Sequence, residues 1–288
     1  MQVIADLYNL DLTQTSTQEI FSDRTRDNDQ QVVLIDTESE IIFLKDPTSH
    51  FDAYKSGNYR QKTVEEERSD AGHIEDATRR CLQFRKLIDN RDIAEFGCGN
   101  GLFLLRSRKH ATSVTGVELQ DNFVTALKRD SIDCFSDLNS LPDKSFDSIF
   151  LFHVFEHLED PIAVLKELKY KLKPEGKLVI EVPHARDCLL KTYNSEAFKQ
   201  HTLWSQHIVL HTQESLRRFC NAAGLNIEGS GGIQRYGLSN HLRWLTQSNL
   251  SPDAQQNLSF SDDNQLGQHY VRVLKEQDIT DTIYCIAN

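Results

Sequence analysis

Basic residues are the minority charge in this chain: 32 Lys and Arg against 43 Asp and Glu leave a formal net charge of −11 over 288 residues. So acidic a protein offers no broad positive field to phosphates, which excludes nucleic acid and anionic membrane surfaces as expected partners. Apolar runs are short as well. None approaches the roughly 20 residues of a spanning helix, and the N-terminal MQVIADLYNLDLTQ lacks the basic-then-apolar order of a signal peptide. The six cysteines, at 81, 98, 134, 188, 220 and 285, never come close enough for a CxxC pair. That excludes a zinc ribbon and a thioredoxin-like site. Set singly among apolar neighbours, they read as small buried residues in a reducing compartment, so the expected location is the cytoplasm. Internal repeats and low-complexity tracts are absent too.

What is present is an ordinary soluble composition, 39% hydrophobic and 26% charged, enough to bury a core. Residues 1–75 are polar and weakly periodic, and are expected to form an N-terminal extension or lid. Within them VVLID and EIIFL can pair across the polar turn Thr37–Glu40. In ATRRCLQFRKLI the positions Ala77, Cys81, Phe84 and Ile88 make one helical face. From Asp92 short apolar runs alternate with helices. The strand candidates are DIAEF, SVTGVEL, IDCFSDL, FDSIFLFHV and GKLVIEVP, followed later by IEGSGGIQRY and TDTIYCIA. Between the fourth and fifth candidates, Ile162, Leu165, Leu168 and Leu172 form a helical stripe that Pro174 and Gly176 end. A later helix, TQESLRRFCNAAG, begins on a Thr212 cap and stops at Gly224. Near-continuous apolar strands alternating with helices predict an α/β fold, a doubly wound sheet of about seven strands covered on both faces. The expected division is a core at 76–236, a polar, helix-poor insertion at 237–275 and a last core strand at 276–288.

The stretch DIAEFGCGNGLFLL sets Gly97, Gly99 and Gly101 on the first strand-to-helix turn, the turn that touches the ligand in a doubly wound sheet. Glycine there permits positive φ and close approach of a ligand to the backbone. A dinucleotide fingerprint would place its third glycine where Leu102 stands, which disfavours an NAD-dependent oxidoreductase. Glu95, two residues before the first glycine, suits a cationic ligand better than a pyrophosphate.

The run Glu95-Phe96-Gly97-Cys98-Gly99-Asn100-Gly101 resembles motif I of class I S-adenosylmethionine-dependent methyltransferases. Further marks follow in order: Glu118 at the end of the second strand candidate, Asp137-Leu138 before LPDKSFD, then HVFEHLEDP and LKPEGKLVIEVP. The resemblance covers roughly 75–235. It implies a Rossmann-like sheet with an antiparallel last strand, S-adenosylmethionine as cofactor, and a cofactor site of Glu95, Gly97, Gly99, Gly101, Glu118, Asp137, Leu138 and His153. In the family the residue at Glu118 binds both ribose hydroxyls, and the segment at Asp137-Leu138 flanks adenine. A catalytically idle binding module on this fold is the contrasting reading, disfavoured because glycine motif and Glu118 are both intact.

The nearer resemblance is to bacterial methyltransferases of sugars, nucleotide sugars or surface polysaccharides, and to sugar C-methyltransferases. IIFLKDPTSHFDAYKSGNYRQ resembles a segment of the latter, with Tyr54 and Tyr59 in place, but the zinc-ribbon cysteines are missing, so no metal is carried over. The expected acceptor is a small molecule or glycan hydroxyl, with a homodimer left open. Methylating an alcohol asks for a base, and histidine is the natural choice near neutral pH. WSQHIVLHTQESL resembles the family stretch whose histidine, at the place of His207, can act as base, although Gln206 replaces the usual glutamate. His184 and His153, at strand ends, are the other candidates, and His157 is read as packing on its own loop. His201, His207 and His211 could gather round an ion, but no carboxylates cluster with them, and a metal is not expected. Arg235, Tyr236, Asn240 and His241 complete the expected acceptor side with Tyr54 and Tyr59, since arginine and aromatic rings suit a phosphorylated or glycosylated acceptor.

Overall fold

The computed structural model describes residues 1–49, 62–246, 262 and 265–288. Among the described residues eleven strands form two sheets: β1 (Gln18–Ser22), β2 (Val33–Asp36), β3 (Ile42–Leu44), β4 (Asp92–Phe96), β5 (Ser113–Val117), β6 (Asp133–Phe135), β7 (Phe146–Phe152), β8 (Leu172–Pro183), β9 (Val209–Leu210), β10 (Ile227–Ile233) and β11 (Thr282–Ala287). The larger sheet runs β10-β11-β8-β7-β4-β5-β6. Its pairs from β8 to β6 are parallel, and β11 lies antiparallel between β8 and β10. The expected seven-stranded sheet with an antiparallel last strand is therefore what forms. From β4 the chain first builds outward through β5 and β6, then crosses back to place β7 on the other side. That reversal opens a crevice at the carboxyl ends of β4 and β7.

Side chains alternate across the strands, and both faces are buried, as the continuous apolar runs require. On one face Ile93, Phe150, Phe152 and Val179 pack with Phe84, Phe103 and Leu127. On the other, Ala94, Ile149, Leu151 and Ile180 meet Leu165, Leu168, Leu216 and Phe219 from the helices Pro161–Lys171 and Gln213–Ala222. The second helix starts as read, with Thr212 in a capping box with Ser215, and the first starts on Asp160, whose side chain accepts from Ala163 N ahead of Pro161. The helix Ala71–Gln83 begins on Asp70, whose side chain accepts from Gly72 N and His73 N. It carries Ala77 into the core, and the chain beyond it buries Phe84 and Ile88.

Three expectations need correction. β8 begins at Leu172, not after Gly176, because Leu172 already pairs with Phe146 before the register shifts. The described part of 237–275 is not helix-poor: Leu238–Leu245 and Gln265–Glu276 are helices. In the second of these helices Leu274 is buried, whereas Leu266 and Val273 stay exposed among polar neighbours. Residues 1–49 also carry more regular structure than their composition suggests. The helix Gln2–Asn9 buries Val3 and Leu7, β2 and β3 pair as read, and β3 pairs antiparallel with β9, in the order β1-β2-β3-β9. Among the described residues no helix is long and apolar enough to cross a membrane.

Phe84 fastens the helix Ala71–Gln83 to the sheet, its ring centroid 6.0 Å from Phe150, 5.9 Å from Phe152 and 5.6 Å from Tyr284. Phe84→Ala should cost about 3–5 kcal/mol, the usual loss for a fully packed phenylalanine. The measurement is a urea midpoint at unchanged slope, and a loss below about 1 kcal/mol would show that the helix is held otherwise.

Candidate active site

The glycine turn leaves β4 at the strand-order reversal. Gly97 N and Cys98 N donate to Val117 O at 2.8 and 3.1 Å, so the turn is clamped to the end of β5. Gly97, Gly99 and Gly101 have φ of 73°, 49° and 72°, the left-handed region that glycine enters freely. Two of them also answer to packing. A Cβ on Gly97 would lie 2.5 Å from Val154 Cγ2, and one on Gly101 would lie 2.3 Å from Leu127 Cδ2. Glu118, buried at the end of β5, accepts from Gly99 N at 2.8 Å and from Gln120 N at 3.0 Å. It thereby fixes the turn from behind.

A cleft of about 290 Å³ opens at this turn, and its lining includes Glu95, Asn100, Phe152, His153 and Arg235. The helix Ala71–Gln83 supplies a further wall through His73, Asp76, Ala77 and Arg80. Arg68 ties the preceding helix, Val64–Ser69, to the turn through Asn100 O at 2.8 Å and to Asp130 at 2.7 Å. Behind the cleft Glu181 of β8, with 0% exposure, is bonded by Arg79 (2.8 and 3.0 Å) and by Arg80 (2.9 Å). Asp76 bonds Arg79 and Arg235, and Arg235 Nη1 lies 3.3 Å from His153 Nε2. Burial would raise the Asp76 pKa, but Arg235, Arg80 and Arg79 outweigh it and hold the carboxylate below its usual range.

Glu95 differs from its neighbours. Burial pushes its carboxyl up to about 8, with Arg80 opposing only in part, and its Oε2 has no hydrogen-bond partner. A buried carboxyl aimed into a cleft and left unpaired suits a cationic ligand.

The family profile described as "Methyltransferase domain" matches residues 65–229, more than half of the chain. This chain belongs to the methyltransferase-domain family. Its fold matches that of a methyltransferase from Haloferax volcanii in complex with the Trm112 methyltransferase activator, with a TM-score of 0.50 and 16% identity over 79% of this chain and 98% of that one. Curated relatives include a tRNA U34 carboxymethyltransferase of Nautilia profundicola, 33% identical over 33% of this chain and 35% of that protein. A ubiquinone biosynthesis O-methyltransferase of Hydrogenovibrio crunogenus is 24% identical over 31% of this chain and 41% of that protein. The match thus spans about 35% of the length of the first of these relatives.

Within the methyltransferase domain, Glu95, Gly97, Gly99, His153 and Arg235 line the cleft together, while Gly101 and Glu118 support the turn. Asp137 and Leu138 do not line it. Asp137 is exposed and caps a short turn through Asn139 N at 3.0 Å. Neither His207 nor His184 faces this cleft. Burial lowers His207 to about 3, which leaves it neutral and a weak base. His184 is 1% exposed, lowered by burial to about 4, and its Nδ1 lies 3.0 Å from Thr280 O. The trio His201, His207 and His211 does not gather: His201 packs on Trp244, and His211 bonds Ser215 Oγ at 3.0 Å. His241 also turns inward, to Tyr270 Oη at 2.7 Å. Tyr236 is exposed beside Arg235, and the Asn240 backbone N–H bonds Gly237 O at 3.1 Å. Tyr54 and Tyr59 lie outside the described residues.

Sequence reasoning passed over Asp76, Arg79, Arg80 and Glu181. Their signal was available: a glutamate inside the apolar run LVIEVP has to be paired once buried, and adjacent arginines on a helix can supply the partners.

Because the folded-state pKa of Glu95 lies above its ordinary value, the ligand-free protein is favoured by protonation. That stability is fully present below the usual glutamate pKa and is lost as pH rises through about 8. Glu95→Gln should therefore raise the melting temperature at pH 8 by about 5 °C and leave it nearly unchanged at pH 5. A pH-independent difference in the melting curves would show that Glu95 is ionised throughout.

Proposed function

We propose that this chain binds S-adenosylmethionine at the glycine turn and transfers its methyl group to an oxygen of a small hydroxylated acceptor. The observation that carries this is the pairing of a bare, positive-φ turn with a buried, unpartnered Glu95 oxygen at the strand-order reversal. S-adenosylmethionine supplies a methyl group on a positively charged sulfur, already activated for displacement. Glu95 meets that positive charge or the α-ammonium, and Gly99 lets the ligand reach the backbone. Glu118 spends one lone pair of each oxygen on Gly99 N and Gln120 N, and the remaining lone pairs can accept two ribose hydroxyls. The domain's own part in catalysis is then alignment, exclusion of water and proton removal. Of the three histidines considered, His153 stands at the cleft, held at a φ of 56° with its N–H on Glu181 O at 2.8 Å. It is the candidate to receive the acceptor proton.

A sugar, nucleotide-sugar or glycan hydroxyl remains the finer reading of the acceptor, and it rests on sequence resemblance. The relatives reported above carry other acceptors in their names. A ubiquinone O-methyltransferase supports oxygen as the atom methylated. The tRNA-named relative favours a second reading, an RNA acceptor, against which the charge of −11 weighs.

Glu118→Ala should weaken S-adenosylmethionine by about 1.5–3 kcal/mol in calorimetric titration, the range for hydrogen bonds to a charged group. Gly99→Val should weaken it at least as much. Near-normal affinity in both would refute the turn as the cofactor site. His153→Ala should lower turnover by about two orders of magnitude or more while cofactor affinity stays within about threefold. Assayed against hydroxylated sugars, phenols and unmodified tRNA in parallel, turnover on tRNA alone would replace the small-acceptor reading.

A further inference from the structure

Behind His153, three side chains from two distant parts of the chain converge. Glu156 and His157 belong to the short 3₁₀ turn after β7, and His207 stands just before β9. One ligand atom from each of these residues lies within 4.8 Å of the others. Glu156 is 1% exposed, and neither of its carboxylate oxygens has a hydrogen-bond partner. The nearest nitrogens are His153 Nδ1 at 3.5 Å and His157 Nε2 at 3.8 Å, both beyond a good hydrogen bond. His207 Nδ1 is likewise buried without a partner.

The tautomer of His157 sharpens the problem. Its Nδ1 lies 2.7 Å from Gln206 O, a carbonyl that can only accept, so Nδ1 carries the proton. Its Nε2 is the nitrogen turned toward the Glu156 carboxylate, 3.8 Å away. An imidazole that donates its far N–H to a carbonyl and offers its near nitrogen is the arrangement seen around bound metal ions.

We propose that Glu156, His157 and His207 bind a divalent transition-metal ion, with zinc the best fit to two imidazoles and one carboxylate. Ligands about 2.0–2.2 Å from zinc stand roughly 3.4 Å apart in a tetrahedron, so a small inward movement of these side chains completes the set. His157 and His207 keep partial exposure, which gives the ion a way in. Three protein ligands leave a coordination position open, and His153 links the cluster to the cleft. An acceptor hydroxyl held there would lose its proton more readily, without help from a strongly basic side chain. That role rests on the methyl-transfer reading above; the metal site does not.

The test is zinc and cobalt binding to the purified full chain, stripped with chelator and retitrated. About one zinc ion per chain should bind at submicromolar free metal and raise the melting temperature, and cobalt should give the visible bands of a four- or five-coordinate site. Glu156→Gln and His207→Ala should each weaken zinc at least about 100-fold, whereas His201→Ala, outside the cluster, should bind as the wild type does. Circular dichroism on the variants separates loss of metal from loss of fold. A wild-type chain that takes up no zinc tighter than about 10 μM, or folded Glu156→Gln and His207→Ala that both keep wild-type affinity, would overturn the site. Calorimetry with S-adenosylmethionine on the same samples keeps the two readings apart. Zinc uptake by a chain that fails to bind the cofactor supports the metal site and removes the methyl-transfer reading.

Discussion

The buried carboxylate of Glu181 is the constraint on which this site depends. It sits in the middle of an otherwise apolar strand with no exposure, and a lone charge there would cost several kcal/mol. Arg79 and Arg80 satisfy it with hydrogen bonds of 2.8–3.0 Å, and both come from the helix Ala71–Gln83. The helix therefore cannot leave the sheet without stranding a charge, and its next turn carries Asp76, which draws in Arg235. One desolvated group thus fixes two walls of the cleft. The apolar contacts of Phe84 hold the same helix from below, but they set only its distance. The ion pairs set its rotation.

That network explains how a cleft rich in charge can still leave one group unmet. Asp76 and Glu181 pair with Arg79, Arg80 and Arg235 and offset two of their three charges, so these groups are largely engaged with each other. Glu95 stands apart, buried and without a partner for Oε2, and its raised pKa measures that isolation. Glu118 shows the opposite economy: each of its oxygens is already anchored to a backbone N–H. Two acidic residues on neighbouring strands thus divide the work. One shapes the turn and the other waits for charge.

Much of the fold was legible because each element carried its own local signal. The strands from DIAEF to GKLVIEVP had continuous apolar runs, the helices had Asp160 and Thr212 as caps, and three glycines marked the turn after β4. The failures have equally local causes. The helix Gln265–Glu276 was missed because its polar face dominates its composition. β8 was begun late because Pro174 and Gly176 read as a break, although Leu172 already pairs with Phe146. Among site residues, the glycines and Glu118 could be found by spacing from a strand end. Asp137 could be placed in its segment, but its capping of Asn139 N could not be told from ligand contact.

The sequence by itself determined the order of strands and helices, the glycine turn and the family to which the chain belongs, since these follow from patterns a few residues long. Tertiary structure decided which histidine meets the cleft and which charges are paired. His207 is 50 residues from His157 in the chain, yet their rings lie 4.9 Å apart, and Arg235 reaches Asp76 across 159. No local pattern encodes such a meeting. It is fixed by the crossover that sets β7 beside β4 and by the desolvation that obliges buried charges to find partners there.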